Sequence, residues 1–221
     1  VIAIDRVPRP WPEEFEPMVV ELSADIAEPT TPAALEAACA ELGGQLDVLV
    51  NAAGILRIRP FLQVTMDEWN DIIGVNLSGT FFLAQAAARI MVANGTRGRI
   101  VNVSSVHAVV SEPNAAPYTA TKGGIEAMTR TIASELAPYG ITANCVRPGA
   151  TRTGMSAPIY EPDIVAALKE RIPVQEIAEP EWIAAAICYL VSDEARYTTG
   201  AALDVDGGYA MNGALPGIIY R

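Results

Sequence analysis

Tyr118 and Lys122 stand four residues apart in the stretch YTATK. On a helix, side chains at i and i+4 lie on one face and reach each other. A free phenol titrates near ~10 and is a poor proton donor or acceptor at neutral pH. An ammonium beside it favours the phenolate and draws its pKa toward the range useful for general acid–base work. Taken alone, the pair also suits the surface of an ordinary amphipathic helix. Ser105 changes the balance: it closes the apolar segment RIVNVSS, thirteen positions before Tyr118, where its hydroxyl could bond the same substrate oxygen that Tyr118 protonates. Asn76, in VNLSG within a long helical pattern, is a poor helix former there. It reads as a cap or a kink, or as a residue holding a water between Lys122 and solvent.

These residues need elements to position them. Strand-like segments at 1–5, 18–23, 46–51, 99–105, 141–148 and 202–206 alternate with helical patterns at Pro32–Leu42, Met66–Ala93, Tyr118–Leu136 and Glu181–Val191. Strands apolar on both faces and separated by helices predict an α/β fold, with a doubly wound parallel sheet covered by helices on both faces. One domain over residues 1–221 is expected. Sheets of this kind bind ligands beyond the carboxyl ends of their strands. Asp5, Asn51, Ser105 and Pro148 all fall at or near such ends. Pro8, Pro10, Pro12 and Pro17 predict an extended surface loop rather than a helix.

The net charge of −11, with no run of Lys or Arg along the chain, speaks against a nucleic-acid surface. Cys39, Cys145 and Cys188 have no metal-ligand spacing and read as reduced, buried thiols in a cytoplasmic protein. The most apolar stretch, 79–93, contains Gln85 and Arg89 and is too short for a membrane span, so a core helix and no membrane association are expected.

VNAAG (50–54), VNLSG (75–79), the serine ending IVNVSS, YxxxK and RPGATRT (147–153) occur in this order; with WIAAAICYLVSDEARYTTGAALDVDGG (182–208) they resemble the short-chain dehydrogenase/reductase family over essentially the whole chain. The resemblance implies a Rossmann-type fold and hydride transfer between NAD or NADP and a secondary alcohol or ketone. Carried across by position, Tyr118 would be the general acid/base. Lys122 would lower its pKa and bind the nicotinamide ribose, Ser105 would polarise the substrate oxygen, and Asn76 would hold a relay water. Asn51, Ala53 and Gly54 would form the turn lining the cofactor, with Asp25 and Ile26 near the adenine. Pro148, Gly149, Thr151 and Thr153 would meet the nicotinamide carboxamide. Asp5, at the end of the second strand of this pattern, would accept hydrogen bonds from the adenosine ribose and repel a 2′-phosphate, which favours NAD over NADP; Arg6 would partly offset that repulsion.

The segment at about 154–172 is expected to be a substrate lid, with Met155, Ile159, Tyr160 and Ile164 toward a partly apolar pocket and His107 near the substrate. VNAAGILR (50–57) is similar to the same stretch in 2,3-dihydro-2,3-dihydroxybenzoate dehydrogenases, and the substrate stays open among diols, sugars and acyl carriers. The resemblance further implies a homodimer or homotetramer, assembled through the Tyr118 helix and the last strand. The apolar tail from Tyr209 would pack on a neighbouring subunit.

One part of the family pattern does not appear. The chain opens on VIAID, which reads as a second strand, and the first Met is Met18. No glycine cluster follows a strand and opens a helix, so a first strand, glycine-rich turn and helix, about thirty residues, are missing from the pattern. That strand lies mid-sheet in this fold. Without it, its two neighbours would leave backbone groups unsatisfied at roughly 1–3 kcal/mol each. The expectation is therefore an incomplete copy of an oxidoreductase. The alternative is a non-catalytic, dehydrogenase-like structural or regulatory protein that cannot hold a dinucleotide.

Overall fold

The computed structural model describes residues 1–7 and 10–213. Pro8, and the tail segment from residue 214 onward, lie outside the described residues. Six strands form inside the six segments that read as strands: β1 (Ile2–Asp5), β2 (Val20–Ser23), β3 (Val48–Asn51), β4 (Arg99–Val103), β5 (Thr142–Pro148) and β6 (Ala202–Val205). Every pairing among them is parallel. The helices are α1 (Thr31–Glu41), α2 (Met66–Ile72), α3 (Thr80–Ala93), α4 (Ala116–Leu136), α5 (Pro162–Arg171) and α6 (Pro180–Val191). Five occupy the four expected patterns, α2 and α3 sharing the one at Met66–Ala93; α5, inside the expected lid, is additional. Cys39 and Cys145 are buried as expected, but Cys188 on α6 is exposed. Prolines sit in the first turn of α1, α4, α5 and α6, where a missing N–H leaves no intrahelical bond unmade. Pro17 lies in a short 3₁₀ turn, Glu16–Met18, so the proline-rich segment is not extended throughout.

The strands form two sheets, β1–β2 and β3–β4–β5–β6. Among the described residues β1 and β3 exchange no ladder hydrogen bonds. Helices bridge the break: Leu35 and Cys39 of α1 and Leu83 and Ala86 of α3 pack with Ile26, Ile2 and Ile4. The same face of the larger sheet is covered by α3 and α4, through Ala87, Met91 and Ala133 over Ile100 and Ala143. On the opposite face, Ile183 and Leu190 of α6 cover Val101 and Val146. Helices thus lie on both faces, as expected of a doubly wound fold. Cover is incomplete at one place: Val50, in register with Val101, and Val48 are 40% and 38% exposed. Continuous burial of both faces, predicted from the apolar strands, does not extend to β3.

Residues 66–93 form one unbroken helix of 28 residues, longer than the apolar stretch alone suggests. It starts on a capping box, in which Thr65 and Glu68 satisfy each other's backbone N–H groups. By length and composition it could cross a membrane. Its Leu83, Ala84, Ala86, Ala87 and Met91 are instead buried in this fold. Between α2 and α3 the turn widens to a π-helix over Ile73–Gly79.

Candidate active site

Beyond the end of β4 the backbone stays extended through Ser105, which caps the turn Val106–Ala108 by accepting the His107 N–H at 3.2 Å. Helix α4 begins at Ala116, so Tyr118 lies in its first turn and Lys122 one turn later. The Ser105 hydroxyl lies close enough to the Tyr118 phenol to influence its titration. Lys122 is 4% exposed; its Nζ donates to the Val103 carbonyl at 2.8 Å and lies 5.5 Å from the centre of the Tyr118 ring. Burial penalises the charged form of both groups. It pushes Lys122 down to about 8 and raises the Tyr118 phenol above its ordinary value, with the Ser105 hydroxyl opposing the rise. The sequence reading had the ammonium drawing the phenol down. In the fold, burial is the larger influence, and the phenol is raised rather than lowered.

Asn76 sits in the π-helical turn and is fully buried. Its Nδ2 donates to the Ile55 carbonyl at 2.9 Å and to Thr121 Oγ1 at 3.3 Å, while its Oδ1 accepts the Ile55 N–H at 2.8 Å. The carboxamide thus ties the turn after β3 to helix α4, from within the widened helical turn. A Cβ on Gly54 would lie 3.4 Å from Asn76 Oδ1 and 3.7 Å from Lys122 Nζ. Gly54, Asn76, Ser105, Tyr118 and Lys122 are therefore brought together at one edge of the sheet.

The other candidates follow the same edge. Asp5 ends β1 exposed, its Oδ1 accepting the Val7 N–H at 3.1 Å. Arg6 is 3.5 Å from Asp25 at the neighbouring strand end, so its charge is directed there. Ile26 is 9% exposed and belongs to the core between α1 and α3. The Asn51 side chain points inward, donating to the Thr80 carbonyl and to Asn102 Oδ1, which in turn belongs to an amide that donates to Thr129. Its side-chain N–H groups are both engaged, leaving the backbone to line a ligand surface, with Ala53 exposed beside it. Pro148 ends β5, and Gly149 packs so closely on Asp206 that a Cβ would meet its Cα at 2.8 Å. Thr151 Oγ1 donates to the Gly149 carbonyl, and Thr153 Oγ1 shares a 3.2 Å hydrogen bond with Ser156 Oγ.

In the lid segment, Met155, Ile159 and Ile164 are exposed, and only Tyr160 is half-buried. His107 is half-buried with Nε2 3.5 Å from Glu112 Oε2, and its Nδ1 is buried with no hydrogen-bond partner.

Two features escaped the sequence reading. Gly79, quoted there only as part of VNLSG, backs onto Ile26: a Cβ would come 2.7 Å from the Ile26 carbonyl oxygen. Ser104 Oγ contacts Lys122 O at 3.2 Å and Glu126 Oε1 at 2.8 Å, and Arg147 clamps the same carboxylate through Nε and Nη2 at 2.7 and 2.8 Å. Glu126 is 5% exposed, and such a buried carboxylate requires this pairing. A signal was available, since Tyr118, Lys122 and Glu126 recur every four residues along one helix face.

A family model described as Enoyl-(Acyl carrier protein) reductase matches residues 6–210. The chain is 40% identical over 168 residues to the uncharacterized oxidoreductase YohF of Escherichia coli (strain K12), covering 76% of this chain and 66% of that protein. It is 38% identical over 199 residues to L-rhamnose 1-dehydrogenase (NAD(P)(+)) of Azotobacter vinelandii, covering 90% of this chain and 78% of the relative. A crystal structure of gluconate 5-dehydrogenase from Burkholderia cenocepacia J2315, in complex with NADP and tartrate, superposes with a TM-score of 0.86 at 31% identity, over 96% of this chain and 85% of that one. The chain belongs to the short-chain dehydrogenase/reductase family. Its match spans just under two thirds of YohF.

Proposed function

We propose that this chain carries the catalytic edge of an NAD-dependent oxidoreductase acting on a secondary alcohol or ketone. The observation that carries the reading is the convergence of Ser105, Tyr118, Lys122 and Asn76 at the carboxyl edge of the larger sheet. In the reducing direction, Ser105 holds the carbonyl oxygen and Tyr118, kept protonated by burial, hands it a proton as negative charge develops. In the oxidising direction the same phenol oxygen receives the alcohol proton. Lys122 supplies positive charge beside it, and Asn76 keeps the turn bearing Gly54 against both. A nicotinamide cofactor, when bound, exchanges the hydride with the carbinol carbon.

The residues fit part of such a cofactor. Gly54 and the small exposed Ala52 and Ala53 let a ligand approach the backbone, Asp5 is free to meet ribose hydroxyls, and Thr151 and Thr153 lie beyond β5. For the pyrophosphate the fit is poorer: among the described residues, no α-helix opens on a glycine-rich turn. NADH titration followed by nicotinamide fluorescence, on this chain and on one lengthened upstream in its own reading frame, tests the reading. Binding by either form, with turnover of a diol, sugar or cyclic alcohol, supports it. Binding by neither would favour the non-catalytic alternative.

Asp5 predicts the cofactor preference. The binding-competent enzyme is expected to use NADH with a kcat/KM at least about tenfold above that for NADPH, and Asp5→Ser to narrow the gap by a similar factor. A better kcat/KM with NADPH in the parent enzyme would reverse the assignment. For subunit contacts, exposed Trp182 and Tyr189 on α6 and Leu203 on β6 support the homo-oligomer reading.

A further inference from the structure

We propose that the edge of the larger sheet opposite the catalytic residues carries a binding site for a small, doubly charged oxyanion of the phosphate type. Arg97, Arg99, Gly140, Asp193 and Arg196 line a pocket of about 290 Å³ there. Arg99 is the first residue of β4 and Gly140 precedes β5, so the pocket lies at the amino ends of these strands. Its three arginines come from two distant parts of the sequence, which is why no basic cluster shows along the chain.

Arg99 is only 9% exposed. Its Nη1 donates to the Arg97 and Gly98 carbonyls at 2.7 and 3.1 Å, which fixes the guanidinium, and its Nη2 lies 3.4 Å from Asp193 Oδ1. Its Nε is buried with no hydrogen-bond partner. Thr142 is the register partner of Arg99 on β5, and its Oγ1 is likewise buried with no partner. Two orphaned polar groups side by side on one face of a strand pair are unfavourable unless something else meets the cluster.

The charge balance points the same way. Asp193 is the one acid lining the pocket; its side chain is 97% exposed and its contact with Arg99 is long, so it neutralises little. Asp47, which accepts from Gln45 Nε2 at 2.7 Å, and Glu194 do not line the pocket. Arg97 lies across Gly140, where a Cβ would meet its Nε at 2.6 Å, so the absence of a side chain at Gly140 lets this guanidinium lie over the pocket. Three guanidinium groups with little local counter-charge, in a chain of net charge −11, match the geometry of a tetrahedral oxyanion, which accepts paired N–H bonds from such forks. The pocket is too small for a dinucleotide and suited to a group the size of phosphate.

The test is titration with inorganic phosphate against sodium chloride at matched ionic strength, followed by calorimetry and thermal melting. The parent chain is expected to bind phosphate saturably, in the millimolar range or tighter. Arg97→Gln/Arg196→Gln, which leaves the buried Arg99 in place, is expected to bind at least tenfold more weakly. If the double variant melts below the parent in chloride, Arg196→Gln alone is compared instead, with at least a threefold loss expected. A response that does not saturate, or one equal in parent and variant, overturns the proposal. Because no nicotinamide is present, either result leaves the oxidoreductase reading untouched.

Discussion

Tyr118→Phe is expected to lower kcat by about 10³-fold while NADH affinity and melting temperature change little. The substitution removes one oxygen and keeps the ring on which Lys122 packs. It deletes the hydroxyl that the proposed mechanism uses to exchange a proton with the substrate oxygen, and Ser105 is far too weak an acid to replace it. Folding is expected to be nearly indifferent, because the ring is kept and the loss of one hydroxyl's polar contacts costs no more than about 1 kcal/mol net. Steady-state kinetics beside a thermal melt separate the outcomes. An unchanged kcat would remove Tyr118 from the chemistry, and a lost kcat with collapsed stability would make it a packing residue.

Lys122→Met is expected to abolish most activity, by at least about 10²-fold in kcat, yet to fold at least as stably as the parent at pH 7. Burial holds the Lys122 ammonium down to about 8 against an ordinary value of 10.5. The folded protein therefore binds fewer protons than the unfolded chain between those two values. Below about pH 8 the burial of charge opposes folding in full, on the order of 3 kcal/mol, and this penalty falls away as pH rises toward the unfolded value. Methionine escapes the penalty but leaves the Val103 carbonyl without its donor, a loss of roughly 1–2 kcal/mol. The two curves of stability against pH should cross: the variant equals or exceeds the parent at neutral pH and falls behind once Lys122 is neutral in both states. Denaturant unfolding at several pH values measures this directly. In the parent, kcat/KM for reduction should bend downward above about pH 8 as the ammonium is lost. A stability difference that is flat with pH would mean Lys122 is not buried as a charge.

The residues of the proposed site could be picked out from the chain because local spacing and a family resemblance both mark them. The four-residue step from Tyr118 to Lys122, the serine ending an apolar strand and the asparagine in a helix each depend on a local period of 2 or 3.6 residues, which a sequence displays directly. The six strands and five of the six helices followed for the same reason. What required the fold depends on residues far apart in the chain. The direction of the Tyr118 shift is set by how many groups exclude water from it, and neighbouring charge alone pointed the other way. Asn76 could be read as a kink or a water holder until Ile55 and Thr121 were placed beside it. Gly79 matters because Ile26, 53 positions earlier, lies against it. The break between β1 and β3 could be anticipated from the strand order, but the exposure of Val48 and Val50 could not. Arg97, Arg99 and Arg196 form one pocket only after β4 and the turn following α6 come together. Local spacing is written in the chain, whereas burial and the pairing of distant charges exist only once the sheet has assembled.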